Sequence, residues 1–433
     1  MFPYTRLLQG NQVVQRVYIK FTIRISEKTN YFYQIYKLEY CSGRQGESVT
    51  VKTQAHANKA KYMDEVQVTI IGAGIVGLAI AAELSKVVSN VVVVEKNEMF
   101  GMEISSRNSE VIHSGIYYAP GSLKAQLCVE GAGLMYALCE EYGLPVKKTG
   151  KLIVAAHSGE IPVLEALYNN GVSNGVTGLA MLKGRDTARF GVACKAVAAL
   201  YVPDTGIVSS HAVMKHFAGA AQAKGATIAY NAGVTYIVPT CGNYKVTIAQ
   251  DNYSFLSRIV INCAGLSSDK VAAMTGLEIA SHNYRIHYCK GSYFYYAQPY
   301  VMPILVYPVP EKQLTGLGVH ATIDLAGRLR FGPDTEYVDT LDYNVDKEKR
   351  DTFYDSAAQV LKGLNREAFQ PDMAGIRPKL YDEGEAVRDF VIIDETANGL
   401  PGLINCIGIE SPGLTSSPAI GKKVCSMVRQ YIG

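Results

Sequence analysis

At 433 residues, 48% of them hydrophobic, the chain is long enough for two domains with a sizeable core, and its apolar runs stop short of the roughly 18 residues a membrane helix needs. A formal net charge of +3 points to no nucleic acid or other acidic partner. Nine dispersed cysteines, with no CxxC pair and no Cys/His cluster, argue against a disulfide framework or a zinc site and suit free thiols in a reducing compartment.

Residues 1–62 form a basic appendage. They carry ten Lys/Arg against three Glu, an excess of seven positive charges that leaves the remainder of the chain at −4. A targeting leader is one reading and an extension upstream of a true start at Met63 is the other. "RVYIKFTIRIS" alternates Val17, Ile19, Phe21, Ile23 and Ile25 with other residues, the period of a strand and not of an amphipathic transit helix.

The next segment, "VQVTIIGAGIVGLAIAAELSKVVSNVVVVEKN", predicts a buried strand over 66–71, a glycine turn, a helix of about three turns and a second buried strand ending at Glu95. Gly72 permits the tight turn, Gly74 lets the backbone approach a pyrophosphate, and Gly77 lets the helix pack on the strand. The helix N-terminus offers unpaired N–H groups to the phosphates, and Glu95 can accept hydrogen bonds from a ribose diol. Together these parts predict a Rossmann-like dinucleotide site. The unit alone does not separate FAD from NAD, but an acid at 95 argues against the 2′-phosphate of NADP.

Farther on, "KTGKLIVAA" (148–156) reads as a strand and "GEIPVLEALYNNGVSNG" as a helix ending at glycine. A helix and strand follow in "SSHAVMKHFAGAAQAKGATIAYNAGVTYIV", then an apolar strand over 259–263 running into Ala264-Gly265 and a helix. From 284 to 331 the runs are aromatic and strand-like, separated by Gly and Pro, and predict an antiparallel sheet; 343–365 returns to helix. At the C-terminus Gly408, Ser411, Gly413 and Leu414 precede a helix whose first turn holds Thr415, Ser416 and Ser417. Two glycine-rich helix N-termini at opposite ends of the chain suit an extended dinucleotide and favour FAD.

Taken together, "IIGAGIVGLAIAAEL", "SSRNSEVIHSGIYYAPGSLKAQLCVEG", "GKLIVA", "YPVP", "GLGVHATIDLAGRLRFGPD", "AGIRPKL" and "GIESPGLTSSPAIG" resemble the FAD-dependent L-2-hydroxyglutarate dehydrogenases and oxidases, within the D-amino-acid-oxidase-like superfamily. The likeness runs from about Val66 to the C-terminus. It implies an α/β protein in which a Rossmann-like FAD-binding domain (63–147, 202–275 and 371–433) is interleaved with an antiparallel-sheet α+β substrate domain (148–201 and 276–370). It also implies oxidation of a 2-hydroxy acid at its α-carbon. Glycerol 3-phosphate or an amino acid as substrate, or a catalytically silent FAD-binding assembly factor, are the alternatives, and the electron acceptor could be oxygen, a quinone or an electron-transfer protein. A mitochondrial or a cytoplasmic location fits equally.

The cofactor set that the resemblance implies adds Ile75 and Val76 to the glycines and Lys96 to Glu95. It continues through Ser106, Arg107, Asn108 and Ser109, then Val234, Ala264 and Gly265, and ends with the 408–415 loop. His113 is the expected base for the substrate hydroxyl, since imidazole titrates near neutrality. Arg377 is the leading expected carboxylate anchor because its planar fork binds carboxylates in bidentate fashion, with Lys290 second. Tyr307 and His320 are expected to hydrogen-bond substrate. Tyr117 and Tyr118 have no assigned role, Lys124 is expected to be solvated, and Cys406 reads as core.

Overall fold

The computed structural model describes residues 63–310 and 318–432 in full and, as backbone strands, 7–9, 12–17, 21–24, 31–41 and 53–59. The chain divides into Met1–Asp64 and Glu65–Gly433. In the first unit Gln12–Val17 and Phe21–Arg24 both pair antiparallel with Tyr31–Cys41, so this part of the appendage is extended, as its alternation suggests. Ile19 and Ile25 lie outside the described residues.

The second unit is built on two large sheets. One has eight strands. Its parallel centre joins Glu65–Ile71 to Val91–Val94 on one side and to Ser254–Asn262 on the other, and Leu403–Ile407 extends it in parallel beyond Ser254–Asn262. Strands covered on both faces must be apolar throughout, and "VVVV" and "LINCI" are. The third strand starts earlier than its apolar run, at Ser254, because Ser254–Ser257 pair antiparallel with Tyr244–Thr247.

Helix Ile75–Leu84 buries eight of its ten residues, the signature of a helix covered on all sides. It packs between the sheet and the helices Ser210–Ala223 and Gly413–Ile432. Contact with the last is close enough that a side chain at Gly421 would press on the Ala79 carbonyl.

The other sheet has nine strands and is mainly antiparallel. It includes Lys151–Ala155, His287–Tyr296, Leu305–Pro308, Ala321–Ile323 and Leu329–Phe331. Phe369–Lys379, which straddles residue 371, pairs along His287–Tyr296. Helix Arg350–Val360 lies on this sheet, with Phe353 against Phe294. That helix is shorter than the 343–365 expectation because Asp346 accepts the Glu348 N–H and starts the first turn late.

A small third sheet, Val111–Ile112 with Gly206–Val208 and Val146–Lys147, presents the chain immediately before His113.

Candidate active site

A cavity of about 800 Å³ is lined by residues of both large sheets, a size suited to a cofactor and substrate. At the glycine turn the fit to a dinucleotide can be tested directly. Gly72 has φ +104°, and a Cβ there would collide with the Cys263 carbonyl; a Cβ on Gly77 would collide with the Gly72 carbonyl. Gly77 therefore does not line the cavity but lets the helix start close to the strand. Gly74, Ile75 and Val76 do line it, at a helix end whose first N–H groups have no intrahelical partner. Ser105 Oγ accepts the Ile75 N–H at 2.9 Å, a contact that sequence reasoning missed.

Glu95 is buried, with one carboxylate oxygen accepting the Ala73 N–H at 2.7 Å and the other accepting Asn97 N–H at 2.9 Å. It ties the glycine turn to the second strand and borders the cavity with Lys96 and Val234. Ala264 and Gly265 border it as well, as do Ser411, Gly413 and Leu414 at the C-terminal helix. These glycine-lined helix ends and the buried acid fit FAD.

The Arg107–Ser109 segment reaches the cavity, but Ser106 does not, its hydroxyl turning back to the Glu103 carbonyl at 3.2 Å. Asn108 shapes this turn: its amide donates to the Ser105 carbonyl at 2.9 Å and its oxygen accepts the Glu110 N–H at 2.8 Å. Arg107 lies 4.3 Å over the Tyr343 ring. Gly408 has φ +69° and faces Leu380, away from the cavity.

His113 is held through its backbone. Its N–H donates to Thr415 Oγ1 at 3.0 Å, Thr415 donates to the Val111 carbonyl at 3.3 Å, and Cys128 Sγ donates to the His113 carbonyl at 3.3 Å. Thr415 therefore works from behind the cavity wall. The imidazole Nε2 stands 3.4 Å from Ser411 Oγ, and Nδ1 is buried with no hydrogen-bond partner among the described residues. Burial and, second, the Lys151 charge push its pKa down to about 3, which keeps the ring neutral and makes it a weaker base than a free imidazole.

Arg377 and Lys290 part company. Arg377 lines the cavity, its Nε donating to the Cys289 carbonyl at 3.3 Å and one terminal nitrogen to the Lys290 and Asp334 carbonyls at 3.1 and 2.6 Å. Lys290 does not reach the cavity: its ammonium pairs with Asp342 at 2.9 Å. Strand register explains the difference. Lys290 lies opposite Ile376, and Cys289 lies opposite Arg377, so the two cations point to opposite faces.

Tyr307 and His320 both line the cavity and stack at 3.5 Å with their planes 8° apart. Tyr117 and Tyr118 line it too and are more than packing. Lys151, fully buried, lies 4.7 Å from the Tyr117 ring and 4.6 Å from that of Tyr307. A lysine in an apolar strand was the signal for it. Cys406 is buried, as expected, though it also touches the cavity.

Lys124 corrects an expectation of solvation. It is buried and pairs with Glu410 at 2.9 Å, and Tyr381 Oη donates to the same carboxylate oxygen at 3.4 Å. Lys379, also buried, lines the cavity beside them. An acid in the glycine-rich "GIESPGL" loop was the one visible hint of this cluster. Among the described residues there is no group of three or more potential metal ligands, and no helix is long and apolar enough to cross a membrane.

Comparison with known proteins agrees with this geometry. Residues 67–427 match the FAD dependent oxidoreductase (DAO) family. The mitochondrial L-2-hydroxyglutarate dehydrogenase of Arabidopsis thaliana is 38% identical over 84% of this chain and 83% of its own length. The L-2-hydroxyglutarate dehydrogenase of Indibacter alkaliphilus is 32% identical over 83% of this chain and 98% of its own. Among solved structures, the FAD-bound L-alpha-glycerophosphate oxidase of Mycoplasma pneumoniae superposes with a TM-score of 0.75 at 25% identity, covering 85% of this chain and 95% of that one.

Proposed function

The chain belongs to the FAD-dependent oxidoreductase (DAO) family, and from that premise we propose that it oxidises L-2-hydroxyglutarate to 2-oxoglutarate. The observation that carries the substrate chemistry is Arg377, a half-buried guanidinium that lines the cavity and whose hydrogen bonds among the described residues all go to backbone carbonyls. Nε and one terminal nitrogen are taken by those carbonyls, so the other terminal nitrogen, held in a fixed orientation, keeps its two N–H donors for a carboxylate. The relatives named for L-2-hydroxyglutarate support the choice of acid.

In this reading Arg377 binds the carboxylate next to the reacting carbon. His113, whose Nδ1 has no hydrogen-bond partner among the described residues, accepts the hydroxyl proton at a ring nitrogen. FAD, when bound, supplies the acceptor for the hydride of the α-carbon. Tyr117, Tyr307 and His320 wall the site and keep water from it. Those of the expected cofactor residues that line the cavity would hold FAD by backbone N–H groups at two helix ends, at residues 74–76 and 411–414, and by Glu95.

One anaerobic experiment tests the proposal. L-2-Hydroxyglutarate should bleach the flavin absorbance of the purified holoprotein, and glycerol 3-phosphate and amino acids should not. Bleaching by glycerol 3-phosphate alone would transfer the reading to the other oxidase chemistry, and bleaching by no substrate would make the chain a silent FAD-binding protein. Admitting oxygen afterwards distinguishes oxygen from a quinone or an electron-transfer protein as acceptor. The names of the eukaryotic relatives support a mitochondrial location.

A further inference from the structure

Resting on the 2-hydroxy-acid reading above, we propose that Lys379 binds the second carboxylate of the substrate and makes the pocket select dicarboxylic over monocarboxylic acids. The inference begins with strand parity. Along Phe369–Lys379 alternate residues share a face; Gly375, Ile376, Arg377 and Lys379 all line the cavity, and Gly375, Arg377 and Lys379 are the three of them on one face. Gly375 has no side chain because the Arg107 carbonyl lies against it. Two cations then follow on the same face.

Their spacing suits a short diacid. Residues two apart on a strand have Cα atoms about 6.6 Å apart. The carboxyl carbons of a five-carbon diacid are about 5 Å apart when extended, given C–C bonds of about 1.5 Å. The flexible lysine stem takes up the difference, and the fixed arginine does not have to.

The two cations are also held differently. Arg377 is oriented by three backbone carbonyls. Among the described residues the Lys379 ammonium has no hydrogen bond or ion pair, and it rests 4.6 Å from the Tyr381 ring and 5.4 Å from the Tyr337 ring. It is only 6% exposed. A buried ammonium is costly unless paired, and the nearby acid, Glu410, is already paired with Lys124. Burial holds the Lys379 pKa below the usual lysine range, against the pull of Glu410. Lys124 neutralises Glu410, and Arg377 and Lys379 remain as two positive charges on this stretch of the lining. A 2-hydroxy diacid brings two negative ones.

Binding of inert acids to the holoprotein tests this without turnover. Glutarate and pentanoate, which lack the hydroxyl, are titrated against the flavin absorbance of the wild type, Lys379→Met, Lys379→Gln and Lys379→Arg. The wild type should prefer glutarate over pentanoate at least tenfold. Lys379→Met and Lys379→Gln should lose that preference, and Lys379→Arg should keep most of it. A preference that survives in Lys379→Met and Lys379→Gln overturns the proposal, as does loss of FAD from both, which would assign the cation to the cofactor or the fold. The substrate reading fails separately: a Lys379-dependent preference for glutarate, with no bleaching by L-2-hydroxyglutarate, leaves the diacid anchor standing and removes only that substrate.

Discussion

Replacing Lys151 by methionine should make the FAD-stripped protein more stable, although it deletes a charge packed against Tyr117 and Tyr307 of the cavity wall. Lys151 is 0% exposed, and its ammonium has no hydrogen-bond partner among the described residues. Two tyrosine faces offset part of the desolvation, each by up to about 2 kcal/mol. Even so, burial lowers its pKa from 10.5 to about 7, with Cys128 opposing.

Between those values the unfolded chain binds a proton that the folded chain does not. Stability therefore rises as pH climbs from 7 to 10.5, and the cost of the charge is present in full below 7. At about 1.4 kcal/mol per pKa unit the cost is about 4 kcal/mol at pH 7 and about 2 kcal/mol at pH 9. Methionine has a similar length and no charge to desolvate. Urea unfolding followed by circular dichroism should show Lys151→Met more stable by about 4 kcal/mol at pH 7 and by about half that at pH 9. A less stable variant at pH 7, or a gap that ignores pH, would refute the argument.

Three further substitutions test the site. His113→Ala should keep FAD bound but slow anaerobic flavin reduction by about a hundredfold or more, the scale of a lost general base; reduction at the wild-type rate would remove His113 from the mechanism. Arg377→Lys should chiefly weaken substrate binding because the planar fork is lost, and an unchanged apparent affinity in the same titration would place that arginine outside the substrate contact. In Gly77→Ala the new methyl meets the Gly72 carbonyl, so the purified protein should carry far less flavin per chain. Full occupancy by absorbance would show that the turn can widen without losing its ligand.

The nucleotide unit was legible because its determinants are local. Buried parallel strands, a glycine turn and a helix end all announce themselves within 66–95. Residues chosen by tertiary closure were not legible. Lys124 looks like a solvated position near a helix start, and nothing near it in the chain shows that Glu410, 286 residues later, accepts from its ammonium. Arg377 ranks ahead of Lys290 as a carboxylate anchor in the sequence, but nothing there excludes the lysine. A one-residue parity in the pairing of their strands decides between them, because opposite residues share a face and Lys290 lies opposite Ile376. The helix expected over 343–365 failed at its ends for a related reason: a cap at Asp346 sets the start, and Leu361 returns to extended backbone.

The unpaired cations and the neutral histidine have a common electrostatic logic. A base that takes a proton from a hydroxyl must itself be uncharged beforehand, and His113 is kept so by burial and by the Lys151 charge. The Lys151 field that makes His113 a weaker base also stabilises the negative charge that develops on the substrate oxygen as its proton leaves, so it opposes one half of the transfer and favours the other. Arg377 and Lys379, which both line the cavity, act in the same direction. Lys151 and Lys379, which have no ion pair among the described residues, cost the protein stability, and a bound dicarboxylate would lower the cost at Lys379. The pocket is therefore least stable where it is most ready to bind, and part of the affinity for substrate comes from relieving that charge.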